Sequence, residues 1–482
     1  MNKVNNPKIM NNSILVVQAT KASIYSSAHI RYLTRHRFIM LLFILLSTCT
    51  AILGDTKQSL MAAPEQEDCE VAERLGYGET SGASVNYNNP QIAALKAGWF
   101  LDWRISADPQ LPSGCTEYVQ VLRVRQHYYV NEDGDNIFSE PHTYTISATD
   151  AKIAAVAQAR PGSVWLLGNE IDRFGQNPIL PELYAEVYHH LYHVIKKADP
   201  TAQVANGSII QATPLRLEYL TKVWDTYQER YGEAMPVDVW NVHNFIIQEV
   251  RNVYGADIPP GFYDVDEGIT YPDDMSHIDM DIFAQQTVAM RQWMKDRGQQ
   301  NKPLIVSEYG VLYWHCTRWE DPDTQETCLQ TLFDIGLVID FMIQSFDYYL
   351  NAKDCEIGYP EDECRLVQRW NWYALNHDGS PFGFNPYTYL YDHQADRLSH
   401  TGAAFQAYTV ANMGQLAFPA HTTTTTPTPA ETAKSTPTVT ATVTMTPSPI
   451  ETITSNQTVA LIMATSSNRD GLYLSASDCE IY

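Results

Sequence analysis

The chain has 482 residues, of which 44% are apolar and 11% aromatic, so it can build a sizeable core in one large domain or two ordinary ones. Its formal net charge is −24 at pH 7, and residues 1–54 contain six Lys or Arg and no Asp or Glu, so the rest of the chain carries −30. Such an acidic body repels nucleic acids and anionic membranes, which argues against nucleic-acid binding and favours neutral or cationic partners.

Residues 1–64 form a basic N-terminal extension with the order of a secretory signal. The basic residues end at Arg37, and the apolar core Phe38–Leu46 and then small residues follow. This core is shorter than the ~20 residues of a membrane span, so we interpret the segment as a signal peptide or an uncleaved anchor. Lipidation of Cys49 is disfavoured because Thr48 fits poorly before it. We expect a secreted or cell-surface protein whose only membrane contact is through this segment.

Between residues 65 and 417, short apolar or β-branched runs alternate with amphipathic stretches of helical length. This alternation predicts βα units and a parallel sheet. The eight predicted strands are Arg74–Gly78, Gly98–Trp103, Val119–Arg125, Val164–Glu170, Gln203–Gly207, Val237–His243, Leu304–Glu308 and Val367–Tyr373. The clearest predicted helices are Pro181–Ala198, Pro214–Arg230, Asp281–Arg297, Gln330–Tyr349 and Thr401–Met413.

Eight strands and roughly as many helices predict an α/β fold of the (β/α)8 TIM-barrel type over residues 65–417. A doubly wound sheet is the competing architecture. It usually has fewer strands, and no GxGxxG or GxxxxGK[ST] motif stands at a strand end here. The count of strands depends on accepting Arg74–Gly78 as the first one.

The composition changes abruptly after Ala417. Residues 418–482 begin with the Thr/Pro tract His421–Pro449, which has almost no large apolar residue and cannot form a core. We predict a disordered linker, stiff and suited to O-glycosylation, that ends in a short tail.

Eight cysteines fit an exported protein. Two pairs lie close in sequence, and a third lies far apart but could meet in space. The bridges that we expect, among the other pairings that these cysteines allow, are Cys316–Cys328, Cys355–Cys364 and Cys69–Cys115. No CxxC motif occurs and no His/Cys cluster has the spacing of a zinc site, so we expect no metal and no cofactor.

Two predicted strands run from an apolar core directly into a glutamate. Strand four reads VWLLGNE and ends at Glu170, and strand seven reads LIVSE and ends at Glu308. In TIM barrels the functional residues lie at the carboxyl ends of the strands, where a partly desolvated carboxylate can have a tuned pKa. The ends of strands four and seven face each other across the barrel. Either glutamate could instead be a rim residue in an ion pair.

Hydrolysis of a glycosidic bond needs such a pair of carboxyl groups. One protonates the leaving oxygen, while the other attacks the anomeric carbon or activates a water molecule. A separation of ~5–5.5 Å leads to retention of configuration through a covalent glycosyl-enzyme. The 29 Tyr and ten Trp suit a surface that stacks on sugar rings, although aromatic residues also fill ordinary cores.

On these residues the sequence resembles the clan A glycoside hydrolases, whose pattern is an Asn-Glu acid/base after strand four and a Glu nucleophile after strand seven. The resemblance spans essentially the whole predicted barrel. It implies that Glu170 is the general acid/base, that Glu308 is the nucleophile and that Asn169 binds the sugar 2-hydroxyl. It also implies hydrolysis of β-glycosidic bonds in a polysaccharide or oligosaccharide.

The same resemblance implies further substrate-binding residues. His243 ends strand six, where clan members often have His or Tyr, and His127 lies just past strand three. Trp372, near the end of strand eight, is expected to be a sugar platform, with Trp370 as the alternative, although either could simply be a core residue. Trp103, at the end of strand two, is a further candidate that could equally be a core residue.

The sequence departs from the clan pattern after strand six. Cellulase-like members have His-x-Tyr there, with the Tyr supporting the nucleophile, but this chain has Phe245, which cannot donate a hydrogen bond. Tyr309, Tyr313 or another residue could replace that Tyr, or the chain could belong to a different family of the clan. We also expect Tyr309 to bind substrate. Arg123 and Arg125 share a strand face, so one of them could pair with the nucleophile or form a structural ion pair.

Two acidic features remain outside the predicted pair. Asp172 follows Glu170 too closely to reach a substrate from the opposite side, so we interpret it as loop structure. The run Asp264–Asp281 is most simply a solvated insertion, which could also wall the cleft.

These observations together predict a monomeric, exported, retaining glycoside hydrolase. The alternative is a catalytically degenerate carbohydrate-binding or scaffold protein on the same barrel. Phe245 and the unusual N-terminus support the alternative, and the two intact glutamates argue against it.

Overall fold

The computed structural model describes residues 70–80, 85–132, 134–313, 316–319, 328–376 and 385–418. In chain order the strands within these ranges are β1 Ala72–Gly78, β2 Ala97–Leu101, β3 Glu117–Tyr118, β4 Gln120–Leu122, β5 Val124–Gln126, β6 Tyr128–Val130, β7 Asn136–Phe138, β8 Tyr144–Ile146, β9 Val164–Leu167, β10 Gln203–Asn206, β11 Trp240–His243, β12 Leu304–Tyr309, β13 Cys316–Trp319, β14 Cys328–Thr331, β15 Arg369–Tyr373, β16 Tyr391–Asp392 and β17 Arg397–Leu398. The α-helices are α1 Pro90–Ala93, α2 Asp150–Ala159, α3 Pro181–Ala198, α4 Pro214–Tyr231, α5 Met280–Asp296, α6 Ile335–Asn351 and α7 His400–Leu416. Short 3-10 helices span Asp274–Ile278, Pro360–Asp362 and Pro386–Thr388.

The long strands pair with one another in parallel and belong to a mixed α/β fold. One sheet has the order β11-β12-β15-β1-β2-β3, and a second has the order β10-β9-β4. Only Val119 separates β3 from β4, and its amide donates to the Phe100 carbonyl at 3.0 Å. A single parallel bridge joins Ala205 of β10 to Val239, next to β11.

All eight predicted strands exist, although several bounds differ. The first predicted strand is β1, which pairs with β2 on one side and β15 on the other, so the strand count holds. The third is shorter than predicted, because β5, the end of the predicted Val119–Arg125, turns away and pairs antiparallel with β8. Residues 102–116, between β2 and β3, contain no helix. The helix predicted from Gln330 begins instead at Ile335, since β14 occupies residues 328–331.

Local sequence accounts for the bounds of the best-predicted helices. Helix α3 begins with Pro181 at its first position, where the missing amide costs no hydrogen bond. Helix α4 also begins with a proline. Gly232 caps its C-terminal end with a left-handed φ of 72°, which suits glycine. Both helices bury one apolar face, and they pack against each other.

The two faces of the parallel strands belong to two separate hydrophobic cores. Alternate residues such as Trp99 and Leu166 form a smaller cluster, together with Ile305. The residues between them, such as Phe100 and Trp165, join the larger cluster that includes the buried side chains of the helices. The smaller cluster therefore marks the face of the strands that points away from the helices.

A β-bulge in β12 changes which residues reach that inner face. Between the pairs Val242–Val306 and His243–Glu308, the register of β11 against β12 skips Ser307. Strict alternation from the inward-facing Ile305 would direct Glu308 toward the helices. The extra residue reverses the alternation and turns Glu308 inward.

Several sequence predictions lie outside the described residues. These are the N-terminal extension, nearly all of the C-terminal linker, Cys69 and the side chains of Cys316 and Cys328. The predicted Cys355–Cys364 disulfide is confirmed, with an S–S distance of 2.07 Å, and Cys115 is also disulfide-bonded. None of the helices in the described ranges has the length and apolar character needed to span a bilayer.

Candidate active site

Glu170 lies on a tight turn immediately after β9. Gly168 has a φ of 125°, and a Cβ there would lie 2.4 Å from a methyl group of Ile171, so the turn requires glycine. Glu170 itself has a φ of 49°, an uncommon value for a residue with a side chain. Its amide donates to Ser208 Oγ at 3.0 Å, which fixes the turn against the segment after β10.

The Glu170 carboxylate is buried and accepts two hydrogen bonds. Arg173 Nη1 donates to Oε2 at 3.1 Å, and His243 Nδ1 lies 3.2 Å from Oε1. Burial raises the pKa of Glu170, but the charges and hydrogen bonds of Arg173 and His243 outweigh burial and lower the pKa well below its ordinary value. The surroundings of Glu170 therefore favour its ionised form.

Glu308 lies opposite Glu170, on the other side of the His243 ring. The Cα atoms of His243 and Glu308 are partners in the β11–β12 register, and His243 Nε2 is 3.7 Å from Glu308 Oε2. Burial raises the pKa of Glu308 to about 7; the nearby Glu170 also raises it, whereas His243 opposes the rise. A ring nitrogen of His243 and one carboxylate oxygen from each glutamate all lie within 4.8 Å of one another.

His243 is buried between two acids, and its environment favours the imidazolium. Burial alone lowers its pKa, but Glu308 and Glu170 together raise the pKa above the ordinary value. The ring thus connects the two glutamates, and substrate binding by His243 stays a prediction. Phe245, where the clan has a tyrosine, packs against this ring with centroids 6.0 Å apart and belongs to a small apolar cluster.

Asn169 and Trp103 form the adjoining polar and aromatic part of the site. Trp103 Nε1 donates to Asn169 Oδ1 at 3.0 Å. The Trp103 ring, which is partly exposed, packs edge-on against Tyr373 with centroids 5.9 Å apart. Five predicted site residues therefore come together, namely Glu170, Glu308, His243, Asn169 and Trp103.

The predictions that Trp372 and Tyr309 bind substrate are wrong. Both side chains are 0% exposed and belong to the core between strands and helices. Trp372 Nε1 donates to the Thr388 carbonyl at 2.8 Å, and the Tyr309 hydroxyl is 3.1 Å from Ser345 Oγ on α6. Tyr309 points outward because the β12 bulge turns its neighbour Glu308 inward. Trp370, the alternative platform, is buried on the same outer face as Trp372.

Tyr373 is the aromatic residue at the end of strand eight that reaches the site, and the sequence prediction missed it. It follows Trp372 by one position and therefore points to the opposite face of β15. Strand parity could have identified Tyr373 if the inward face of strand eight had been known. In the sequence, the two tryptophans look like better candidates for a sugar platform than the tyrosine, although they lie on the outward face and the tyrosine lies on the inward face.

His127 lies on an antiparallel extension of the third strand. Its side chain is exposed, and Nδ1 is 2.8 Å from Thr143 Oγ1. None of its hydrogen bonds within the described ranges reaches Glu170 or Glu308. The chain turns away from the parallel sheet at β5, so a position just past the predicted strand three is displaced from the other strand ends.

Arginine enters the site from a position that the sequence prediction did not consider. Arg125 is exposed and lies over the Tyr128 ring, and Arg123 Nε donates to Asn177 Oδ1 at 3.2 Å. Neither forms an ion pair with Glu308 among the described contacts. Arg173 is the arginine that binds a glutamate of the site. Its spacing of three residues from Glu170 was a usable signal.

The same donor atoms could in principle hold a metal ion. The set is Glu170, His243 and Glu308, all with little solvent exposure. The Arg173 guanidinium already occupies one oxygen of Glu170 and repels a cation there. The charges around the site therefore favour paired acids over a metal centre.

Asp172 is structural, as predicted, and belongs to a buried ionic network. Arg216 of α4 binds Asp172 at 3.2 Å and Glu249 at 3.0 Å, and all three side chains are 0% exposed. Gln211 and Thr213 also donate to Glu249, at 2.9 and 2.6 Å. This network fixes the turn that contains Glu170 to the long segment that follows β11.

No protein-family model matches the chain, and no curated protein matches its sequence. In structure it is similar to a GH128 (subgroup II) endo-β-1,3-glucanase from Sorangium cellulosum, at 12% identity and a TM-score of 0.40, over 69% of this chain and 98% of that one. It is similar to a GH128 (subgroup I) endo-β-1,3-glucanase from Amycolatopsis mediterranei in complex with laminaritriose, at 16% identity and a TM-score of 0.39, over 70% and 99% of the two chains. A curdlan-specific GH128 (subgroup III) exo-β-1,3-glucanase from Blastomyces gilchristii has 14% identity and a TM-score of 0.40, over 70% and 99%.

Proposed function

We propose that this protein is an exported, retaining glycoside hydrolase that cleaves β-glycosidic bonds in a polysaccharide. The best support is the close approach of Glu170 and Glu308, which present carboxylate oxygens within 4.8 Å of each other. Retaining enzymes hold their two carboxyl groups ~5–5.5 Å apart, whereas inverting enzymes separate them by ~6.5–9.5 Å to admit a water molecule. The short separation favours direct attack by a carboxylate.

In the proposed reaction Glu170 is the general acid/base and Glu308 is the nucleophile. Protonated Glu170 gives its proton to the glycosidic oxygen while a Glu308 oxygen attacks the anomeric carbon. The bond to the leaving sugar breaks as the glycosyl-enzyme ester forms. Ionised Glu170 then takes a proton from water, whose oxygen attacks the anomeric carbon and releases Glu308.

The charge distribution of the free site bears directly on this assignment. Arg173 and His243 favour the ionised form of Glu170, so a proton shared by the two carboxyls is favoured on Glu308. The reacting form needs that proton on Glu170. Both forms contain the same number of protons, so they share one pH window. In this proposal the glycosidic oxygen replaces Arg173 as the partner of Glu170.

Neighbouring groups would bind the sugar. Asn169 would bind the sugar 2-hydroxyl, and Trp103 and Tyr373 offer partly exposed rings beside Glu308. His127 stays a proposed contact for the distal part of a longer chain, because it is exposed on the β5–β8 extension. A neutral, hydroxylated ligand suits aromatic surfaces and hydrogen-bonding side chains.

We further propose that the parallel strands close into a (β/α)8 barrel over residues 65–417. The strand orders, the continuity of β3 with β4 and the Ala205–Val239 bridge support closure. The proposed extracellular location and the Thr/Pro-rich linker over residues 418–482 are supported by the sequence. A single chain contains the whole proposed site, which suits a monomer.

The test is hydrolysis of β-1,3-glucan, β-1,4-glucan, mannan and xylan by the wild type and by Glu170→Gln and Glu308→Gln. We expect Glu170→Gln to lower kcat/KM by about 10²–10⁴-fold and Glu308→Gln to abolish turnover. Glu218→Gln, at an exposed position on α4, is the matched control and should retain activity. NMR of the first product should show the retained anomer.

Covalent labelling separates the roles of the two acids. A 2-deoxy-2-fluoro glycosyl fluoride of the cleaved sugar should label the peptide that contains Glu308, and mass spectrometry should locate the ester there. A label on Glu170 would reverse the assignment, and an inverted first product would overturn the retaining mechanism. Absence of turnover on every glycan, with glycan binding equal in wild type and Glu308→Gln, would favour the non-catalytic alternative.

A further inference from the structure

A second concavity lies beside the glutamate pair. The segment between β11 and α5 and the residues after β12 enclose a cavity of about 370 Å³. Its volume lies within the range of small-molecule sites, roughly 300–1,000 Å³. Its lining includes Gln248, Tyr254, Tyr271, Asp274, His277 and Tyr313. Neither Glu170 nor Glu308 lines it.

One wall of the cavity is a fixed aromatic surface. His277 and Tyr313 stack with centroids 4.2 Å apart and planes inclined by 2°. His277 is buried and fully bonded, with Nδ1 2.8 Å from the Ile246 carbonyl and Nε2 accepting from the Leu312 amide at 2.8 Å. This bonding orients both rings without help from a ligand.

The remaining wall offers polar groups. Asp274 is exposed on a 3-10 helix, and Gln248 Nε2 donates to the Tyr254 carbonyl at 3.0 Å. The Tyr271 hydroxyl is buried and has no hydrogen-bond partner among the described residues. An aromatic wall opposite hydroxyl, amide and carboxylate groups matches the alternation of apolar and polar surface on a pyranose ring.

The cavity is connected to the catalytic pair through the arginine of the site. Arg173 binds Glu170 with Nη1 and the Gly255 carbonyl with Nη2, at 3.1 and 3.0 Å. Tyr254, next to Gly255, is 48% exposed and lines the cavity. Tyr254 is therefore the immediate neighbour of a residue whose carbonyl is bound by the same arginine that binds Glu170.

We propose that this cavity is a sugar-binding subsite for a ring of the same polysaccharide, distant from the bond that is cleaved. This proposal rests on the function proposed above. The ring is neutral, because Asp273 and Asp274 in the lining repel a carboxylate and a uronic acid would bring one. Part of the acidic run Asp264–Asp281 thus lines this subsite, and the rest of the run is solvated.

The variants Tyr254→Ala and Asp274→Ala test the subsite, and Tyr263→Ala is the matched control. Tyr263 is 61% exposed in the same segment and does not line the cavity. The measurement is kcat/KM on the disaccharide-to-hexasaccharide series of the preferred glycan. We expect the ratio of hexasaccharide to disaccharide kcat/KM to fall about 3–10-fold in the test variants and to stay at the wild-type value in Tyr263→Ala.

Calorimetry on the full chain tests the subsite by binding alone, without turnover. Hexasaccharide binding to Glu308→Gln should weaken about 3–10-fold when Tyr254→Ala is added, and a uronic-acid oligosaccharide should not bind. An unchanged ratio in the kinetics and an unchanged Kd in the calorimetry would overturn the subsite alone. No turnover by the wild type would overturn the proposed function alone, since the calorimetry would still decide the subsite.

Discussion

Arg173 Nη1 donates a hydrogen bond to Glu170 Oε2 at 3.1 Å, from a position three residues further along the same turn. This contact joins the expected proton donor of the reaction to a permanent positive charge. An arginine beside a carboxylate stabilises the ionised form, so the contact works against protonation of Glu170 in the free enzyme. Under the proposed mechanism, Glu170 must therefore gain its proton against the charge of Arg173.

The first prediction concerns the pH dependence of kcat/KM. The reacting form needs one proton on the glutamate pair, and the pair loses that proton as the pH rises through the raised pKa of Glu308, about 7. We expect kcat/KM to fall above pH ~7 and to be retained below it until the low pKa of Glu170 is approached. A basic limb that does not move when the glutamates' surroundings change would contradict this origin.

Arg173→Gln provides that change of surroundings. Loss of the positive charge raises the pKa of both glutamates, so the basic limb of the kcat/KM profile should move to higher pH. Arg230→Gln is the matched control, because Arg230 is a surface residue paired with exposed Glu186, and its profile should match the wild type. The measurement is the midpoint of the basic limb in each variant.

The second prediction separates two adjacent aromatic residues. Tyr373→Ala should raise KM about 3–10-fold, because the ring faces the site beside Trp103. Trp372→Phe should leave KM unchanged and lower the free energy of unfolding by about 1–3 kcal/mol, since Trp372 is buried and donates to Thr388. Kinetics and urea unfolding of both variants give the comparison. An effect on KM in Trp372→Phe would restore the original prediction for that residue.

The third prediction concerns the buried Arg216. Arg216→Met leaves Asp172 and Glu249 buried without their cation, so we expect a loss of about 3–5 kcal/mol in the free energy of unfolding. Arg230→Met on the same helix removes only an exposed ion pair and should cost less than ~1 kcal/mol. Denaturant unfolding measures both. A small loss for Arg216→Met would show that the two acids take up protons at little cost.

The fourth prediction concerns acid stability and His277. Burial lowers the pKa of His277 to about 4, so the folded state binds this proton less readily than the unfolded state does. Neutral His277 therefore contributes fully to the free energy of unfolding above pH ~6.5, the ordinary pKa of a histidine in the unfolded chain. This contribution is lost as the pH falls toward 4, and the free energy of unfolding then decreases by up to ~1.4 kcal/mol per pH unit. Protonated Nε2 could no longer accept from the Leu312 amide.

Two variants isolate the His277 contribution. His277→Gln should flatten the dependence of the unfolding free energy on pH between 6.5 and 4, even if it lowers stability overall. His190→Gln, at an exposed position, should keep the wild-type slope. Equal slopes for His277→Gln and the wild type would assign the acid sensitivity to other groups.

Hydrophobic patterning predicted the strands because the two faces of each parallel strand are buried in different cores. Runs such as VWLL and LIV are apolar at consecutive positions, and both runs lie in strands that end near the site. Counting such runs placed Glu170 after the fourth strand and Glu308 in the seventh. Pairing of β1 on both sides confirms the count on which that placement depended.

The direction of individual side chains could not be predicted in the same way. Periodicity fixes which residues share a face, but a run that is apolar throughout does not indicate which face is inward. The bulge at Ser307 adds one residue that no propensity marks. It turns Glu308 toward the site, as its predicted role requires, and leaves Tyr309 in the core between strands and helices. Arg173 and Tyr373 were missed because each depends on a backbone turn or a strand face that is set by tertiary contacts.

Arg216 has a consequence for the exchange of segments between proteins of this fold. Its guanidinium binds Asp172 beside the catalytic turn and Glu249 in the segment that forms the cavity. A graft that replaces this segment with one lacking an equivalent of Glu249 would leave the arginine half-paired and loosen the turn that holds Glu170. Loop transplantation intended to alter substrate preference should therefore transfer Arg216 and Glu249 together.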